Sequence, residues 1–392
     1  MLRVNDVSVP LDHDDELLAS LAARKLKLPR KAVRACCVAR RSVDARDKTD
    51  VHFVMSLDVR VDDEDGVLRR LRPGLAQRVV RKEPPALPPP RFSRRPVVVG
   101  AGPAGLFAAL WLARAGARPI MLERGRSVDE RTRDVQALQA DGTLDPESNV
   151  QFGEGGAGAF SDGKLTTGIK SPYIRTVLET FVAHGAPEEI LILQKPHIGT
   201  DRLKGVVAGI REEIVSLGGE VRFSACVREL ILRGGRVEGV VVRRNGIDEE
   251  LLTDTVLLAI GHSARDTVQS LFGQGVRMVQ KPFAMGVRIE HPQALIDRAQ
   301  YGGFAGHPAL RAADYKLNAR TPDGRGVYTF CMCPGGEVIC AASQPGGLAV
   351  NGMSYHARAG RNANAALLVG VRTEDFGDDH PLAGFVLQRS IE

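Results

Sequence analysis

The sequence predicts an α/β protein built on one βαβ unit, preceded by a small α+β module. Three observations predict it. The hexamer Gly100-Ala101-Gly102-Pro103-Ala104-Gly105 stands between an apolar strand and an apolar helix, and Glu123 ends the strand after that helix. Upstream, Val51, Phe53, Met55, Leu57, Val59 and Val61 alternate along one face of a separate sheet. Between the two regions, Lys82 to Pro96 carries six prolines, which remove ladder donors and favour extended geometry.

The elements follow in order. Residues 1–82 read as a βαββ, ferredoxin-like module. Val4, Val7 and Val9 begin it, and Asp14 to Leu28 forms a helix with Asp12 or Asp14 as N-cap and Leu17, Leu18, Leu21 and Leu28 as its apolar stripe. Val33 to Arg41 and Val51 to Val61 are its later strands. Residues 83–96 are the linker. Residues 97–168 form the first part of the nucleotide-binding domain, with strand Val97–Val99, helix Leu106–Ala115 and strand Pro119–Leu122. Residues 169–265 complete it, through a helix over Asp201–Leu217 and a three-stranded antiparallel meander, Val227–Leu232, Val237–Arg243 and Glu250–Ala259. Gly234-Gly235 and Asn245-Gly246 are its turns. Residues 266–392 are expected to form a substrate or cap domain, incomplete at its C-terminal end.

A length of 392 residues with 43% hydrophobic and 26% charged side chains suits an ordinary globular chain of two or three domains. Asp12, Asp14, Asp15 and Glu16 occupy the place of a signal-peptide core, and the most apolar window, Val97 to Ala117, contains Arg114 and a turn. Six cysteines are too few for a disulfide framework. The expectation is a cytoplasmic protein without membrane contact. Residues 1–95 hold 21 basic and 14 acidic side chains, net +7, against −1 for the rest. An anionic partner such as RNA would dock there if anywhere, although no nucleic-acid motif accompanies the charge.

In a Rossmann-like unit each residue of the hexamer has a physical task. Gly100 permits the tight turn, Gly102 admits a pyrophosphate to the backbone, and Gly105 packs the helix on the strand. The helix N-terminus, at Ala104, offers N–H groups to phosphates. Glu123 is expected to accept hydrogen bonds from a ribose. Glu123-Arg124-Gly125, the meander with Val227, and Leu257 to Gly261 resemble flavoproteins of the glutathione-reductase-like class, which favours FAD over NAD. No separate NAD(P)H-binding domain is expected, so NAD(P)H would serve only as a transient donor.

Longer strings resemble the bacterial and plastid FAD-dependent dehydrogenases. They are Arg41 to Arg46, Asn149 to Gly158, Phe160 to Leu165, Lys195 to Thr200, Gly261 to Asp266 and Cys331 to Gly336. The resemblance implies FAD binding and leaves the substrate open. It also implies a C-terminal glycine-rich strand and helix returning to the cofactor, which this sequence lacks, so truncation is expected.

The glycine-rich stretch 153–168 is expected to line the flavin through Gly155, Gly156, Ser161 and Gly163, with Lys164 near flavin N1 and Gly261 close to the nucleotide. His262 is a candidate acid or base, and His197 and His291 are weaker ones. Cys331, Cys333 and Cys340 are candidates for a redox pair, buried packing being the commoner role. No metal site is expected. The function expected is an FAD-dependent oxidoreductase. The alternatives are a non-catalytic flavin-binding protein docking through its basic module, and an NAD-linked dehydrogenase.

Overall fold

The computed structural model describes residues 1–80, 84 and 86–392. The boundary expected between residues 82 and 83, and Pro85 of the linker, lie outside the described residues. Two compact units are present.

The first unit comprises Met1–Pro85, Lys164–Ile198 and His291–Tyr315. Its N-terminal part runs β1 (Leu2–Val9), α1 (Asp15–Leu26), β2 (Val33–Asp44), β3 (His52–Val61), α2 (Glu64–Arg70) and β4 (Ala76–Arg78), in a sheet ordered β2-β3-β1-β4. The pattern is therefore βαββαβ, one helix and one strand more than expected. Both extra elements are too short to show a period: α2 has seven residues and β4 three. Asp14 caps α1 by accepting the Leu17 N–H at 2.8 Å, a contact worth about 1 kcal/mol. Val4 and Val7 reach the same core despite odd spacing because β1 bulges between them, with Asp6 at φ 52. Phe53, Met55, Leu57, Val59 and Val61 are buried as their alternation requires.

Segments 164–198 and 291–315 belong to this unit rather than to the nucleotide-binding and C-terminal portions. Backbone pairing gives the reason: the Arg41 N–H donates to Ile192 O at 2.7 Å, and the Gln194 N–H to Arg41 O at 3.0 Å. The edge of β2 is thereby paired at Arg41. Tyr301, Phe304 and Leu310 pack on the same core.

The second unit comprises Ala86–Gly163, Gly199–Glu290 and Lys316–Glu392. Strand β5 (Val97–Val99), helix α3 (Pro103–Arg114) and strand β6 (Ile120–Leu122) form the βαβ unit, followed by α4 (Val128–Asp141), α5 (Thr200–Ser216) and β7 (Glu220–Arg222). Then come β8 (Ala225–Arg233), β9 (Arg236–Arg244), β10 (Ile247–Leu252) and β11 (Val256–Leu258). The parallel sheet is ordered β11-β5-β6-β7 and the meander β10-β9-β8. The expected strand Glu250–Ala259 is thus two strands, one antiparallel to β9 and one parallel to β5. Thr253 breaks it: its hydroxyl donates to the backbone carbonyl of Arg95 at 2.9 Å and accepts the Thr255 N–H at 3.2 Å, turning the chain between the sheets. Helix α6 (Arg265–Gly273) follows. Strands β12 (Phe283–Pro292), β13 (Asn318–Arg320), β14 (Gly326–Cys333) and β17 (Asn362–Val371) form a further sheet, β15 (Glu337–Cys340) and β16 (Val350–Met353) a hairpin, and α7 (Ala383–Ile391) closes the order. No helix among the described residues is long and apolar enough to cross a membrane.

Candidate functional site

The C-terminal ends of β5, β6 and β11 carry the loops that bound a cleft of about 270 Å³. This is where an open parallel sheet places its ligands. Val97–Val99 and Ile120–Leu122 are buried because the strands are covered on both faces, which fixes the hexamer at the edge of a rigid sheet. Helix α3 begins with Pro103 at its first position and no side-chain cap at Gly102, so its N-terminal dipole is open to the cleft.

Two glycines fix the local geometry. A Cβ on Gly105 would stand 1.8 Å from Gly100 O, so only glycine allows α3 to seat on the turn. A Cβ on Gly102 would meet nothing nearer than Gly156 Cα, at 4.0 Å, and its φ of −70° suits any residue. The protein itself therefore leaves Gly102 bare without needing to. The space over it is a cradle that a side chain would fill, and the structure fits a pyrophosphate there.

Glu123 is 5% exposed and lines the cleft. Its Oε2 accepts the Ala101 N–H at 2.7 Å, and its Oε1 accepts the N–H groups of Gly125 and Gly153, both at 2.9 Å. The expected ribose ligand is thus first the clasp of three loops. A carboxylate offers about four lone-pair positions, so one stays available to a ligand. Arg124 is anchored at the cleft by Asp266 at 2.9 and 3.0 Å and Glu147 at 2.8 and 3.0 Å, with its guanidinium 4.2 Å over the Phe152 ring.

Of the residues expected at the site, Gly100, Gly102, Ala104, Glu123, Arg124, Gly156, Val227, Gly261 and His262 line this one cleft. Gly105 sits behind it in the helix packing. Gly155, Ser161, Gly163 and Lys164 do not line it. Gly153, Gly155 and Gly156 all have positive φ and turn the chain sharply, so only Gly153, Gly156 and Ala157 face the cleft. The chain then leads away: Ser161 Oγ donates to Gly158 O and accepts the Gly163 N–H, while buried Asp162 pairs with Arg358 and Ser354. Lys164 bridges His197 within the first unit. Burial and the neighbouring Arg265 hold the His262 imidazole below its usual range, partly offset by Glu392, so the ring is neutral at neutral pH. Cys331, Cys333 and Cys340 lie outside the cleft lining, and His291 bonds the Tyr315 hydroxyl.

The sequence reading missed Gln151, Phe152, Cys226 and Ile260 in the lining, and Arg131 and Glu154 behind it. Arg131 is fully buried and donates to the carbonyls of Asn149, Val150 and Glu154 at 2.6–2.7 Å, bracing the loop that carries Gly153 and Gly156. Burial pushes its guanidinium down to about 10. Its signal was present: with Val128, Val135 and Leu138 it falls on the buried stripe of α4, where an arginine must have a special partner.

Comparison with known proteins agrees with this geometry. Residues 95–143 match the profile of an FAD binding domain, residues 282–392 that of an FAD-dependent protein, C-terminal domain-like, and residues 1–60 a domain of unknown function. An uncharacterized protein of Clostridium beijerinckii is 48% identical over 394 residues, covering 100% of this chain and 73% of its own. Among solved structures, the chain resembles THI4 of Thermovibrio ammonificans (20% identity, TM-score 0.31, 48% of this chain and 66% of that one). It also resembles the glycerol-3-phosphate dehydrogenase of Bacillus halodurans complexed with FAD (13% identity, TM-score 0.34, 76% and 54%). It thus spans less than two thirds of either solved chain. The cofactor is FAD, and the chain belongs to the family of FAD-dependent oxidoreductases.

Proposed function

We propose that this protein is a dehydrogenase that passes a hydride or an electron pair between a small molecule and a non-covalently held FAD, with NAD(P)H as a transient partner. The observation that carries the reading is the bare Gly102 cradle at the open end of α3, within a cleft that also gathers Glu123, Val227 and Gly261.

The residues divide the work. The α3 N-terminus receives the phosphates through free N–H groups and its partial positive charge. Glu123 holds the three loops in register and keeps one acceptor position for the adenosine sugar. Arg124, fixed by two carboxylates and stacked on Phe152, closes one wall without spending its charge on the ligand. When bound, the flavin supplies a ring that accepts and returns electrons. His262, neutral at neutral pH, is positioned at the cleft to accept a proton, and its Nε2 lies 3.4 Å from Ser263 Oγ.

The test is the visible spectrum of the purified chain, then anaerobic addition of NADH or NADPH. Flavin absorbance that bleaches within the mixing experiment is expected. A colourless protein that takes up no FAD overturns the reading, and retained flavin that neither nicotinamide reduces favours a non-catalytic binding role.

A further inference from the structure

A second cavity, of about 200 Å³, adjoins the cleft and shares Gln151, His262 and Ser263 with it. We propose that this cavity takes a small carboxylate-bearing molecule, gripped by Arg265. Its role as the substrate chamber rests on the flavin reading above; the carboxylate site itself does not.

Arg265 opens α6 directly after the Gly261–Ala264 turn and is only 8% exposed. A buried guanidinium is costly unless its donors are met. Here the two terminal nitrogens present a fork. Nη1 and Nη2 donate to the two carboxylate oxygens of Glu392 at 2.8 and 2.7 Å, and Nη2 also donates to Gln388 Oε1 at 3.0 Å. Nη1 lies 3.4 Å from Gln344 Oε1, and Nε has no partner among the described residues. Such a two-point pairing is the geometry by which arginine selects a carboxylate.

Two features make Glu392 a stand-in rather than a permanent partner. Its side chain is 26% exposed against 9% for Arg265, so water can take up the carboxylate but not the guanidinium, which stays in need of a partner. The other lining groups are small or neutral, among them Ala341, Ala342, Ser343 and Gln388, so swinging Glu392 aside leaves Arg265 as the cavity's uncompensated charge. An external carboxylate restores the lost pairing and buries its apolar part against Met285 and Leu348. Glu392 then acts as an internal competitor that sets the affinity. A bound carboxylate would lie beside His262, in reach of the cleft that the two cavities share.

Benzoate is the probe, added to the FAD-loaded chain and followed by the flavin visible spectrum and by calorimetry. The wild type is expected to bind it. Glu392→Gln removes the competitor and tightens binding about tenfold or more, whereas Arg265→Gln weakens it about thirtyfold or more. Arg265→Lys, which keeps the charge and loses the fork, falls between. Arg265→Gln/Glu392→Gln, with a neutral pair in place of the charged one, controls for folding and should also fail to bind. Benzoate affinity unchanged in Arg265→Gln, an unchanged or weaker affinity in Glu392→Gln, or equally tight binding of inorganic phosphate would each overturn the proposal. If the chain takes up no FAD, the flavin reading fails alone, since calorimetry on the flavin-free chain still decides the role of Arg265.

Discussion

Consider Glu123→Gln, which exchanges one oxygen for an amide nitrogen. The carboxylate accepts three buried backbone N–H groups, one on Oε2 and two on Oε1. Glutamine must turn its NH₂ toward one of these sets. The cheaper choice faces Ala101 and orphans one buried donor, at about 1–3 kcal/mol. The bonds from Gly125 and Gly153 survive but become neutral rather than charge-assisted, a loss of about 1 kcal/mol each. The sum, about 3–5 kcal/mol, is a large share of a typical stability of about 5–15 kcal/mol. It should appear in the flavin-free protein, as a lower urea midpoint followed by circular dichroism, with FAD affinity falling in consequence. If the flavin-free protein keeps its midpoint to within about 1 kcal/mol while FAD binding is lost, Glu123 is a sugar ligand only and the clasp argument is refuted.

Other outcomes follow from the same contacts. Gly105→Ala places a Cβ 1.8 Å from Gly100 O, so it should destabilise the flavin-free chain by about 3 kcal/mol or more in urea unfolding. Glu154 is fully buried with Oε1 unpartnered among the described residues, and burial pushes its carboxyl up. Its contribution to stability is therefore present below the unfolded value of about 4.3 and lost as pH rises through the folded one, so Glu154→Gln should flatten that part of the stability–pH curve. His262 should titrate by NMR below about 6.5, so the unfolded chain takes the proton first and stability falls as pH drops through that window. Arg265→Gln should move the His262 titration up and Glu392→Gln should move it down; unmoved titrations would contradict the electrostatic assignment.

The parts legible in the sequence were those where backbone geometry dictates residue type. Gly100, Gly102 and Gly105 with Glu123 announce the cleft because a turn, a bare approach and a close packing each admit few residues. The alternation in β3 announced its buried face for the same reason. Direction was not legible. The glycines from 153 to 163 signal a chain that turns, but Gly156 faces the cleft whereas Ser161 and Gly163 face Gly158 and each other, and no local period encodes that difference. Long-range partners were equally silent: nothing near Arg41 predicts pairing with residues 192–194, so the first unit gained segments that chain order assigned elsewhere. Gln151, Phe152 and Cys226 enter the cleft wall through tertiary placement alone.

The most direct measurement of the central claim is FAD titration of the flavin-free wild type and of Gly102→Ala, followed by flavin fluorescence, with thermal unfolding of both proteins. Since a Cβ at 102 meets no protein atom closer than 4.0 Å, the account predicts two chains of equal flavin-free stability, of which the variant binds FAD at least about thirtyfold more weakly. Equal FAD affinity in the two proteins would contradict it.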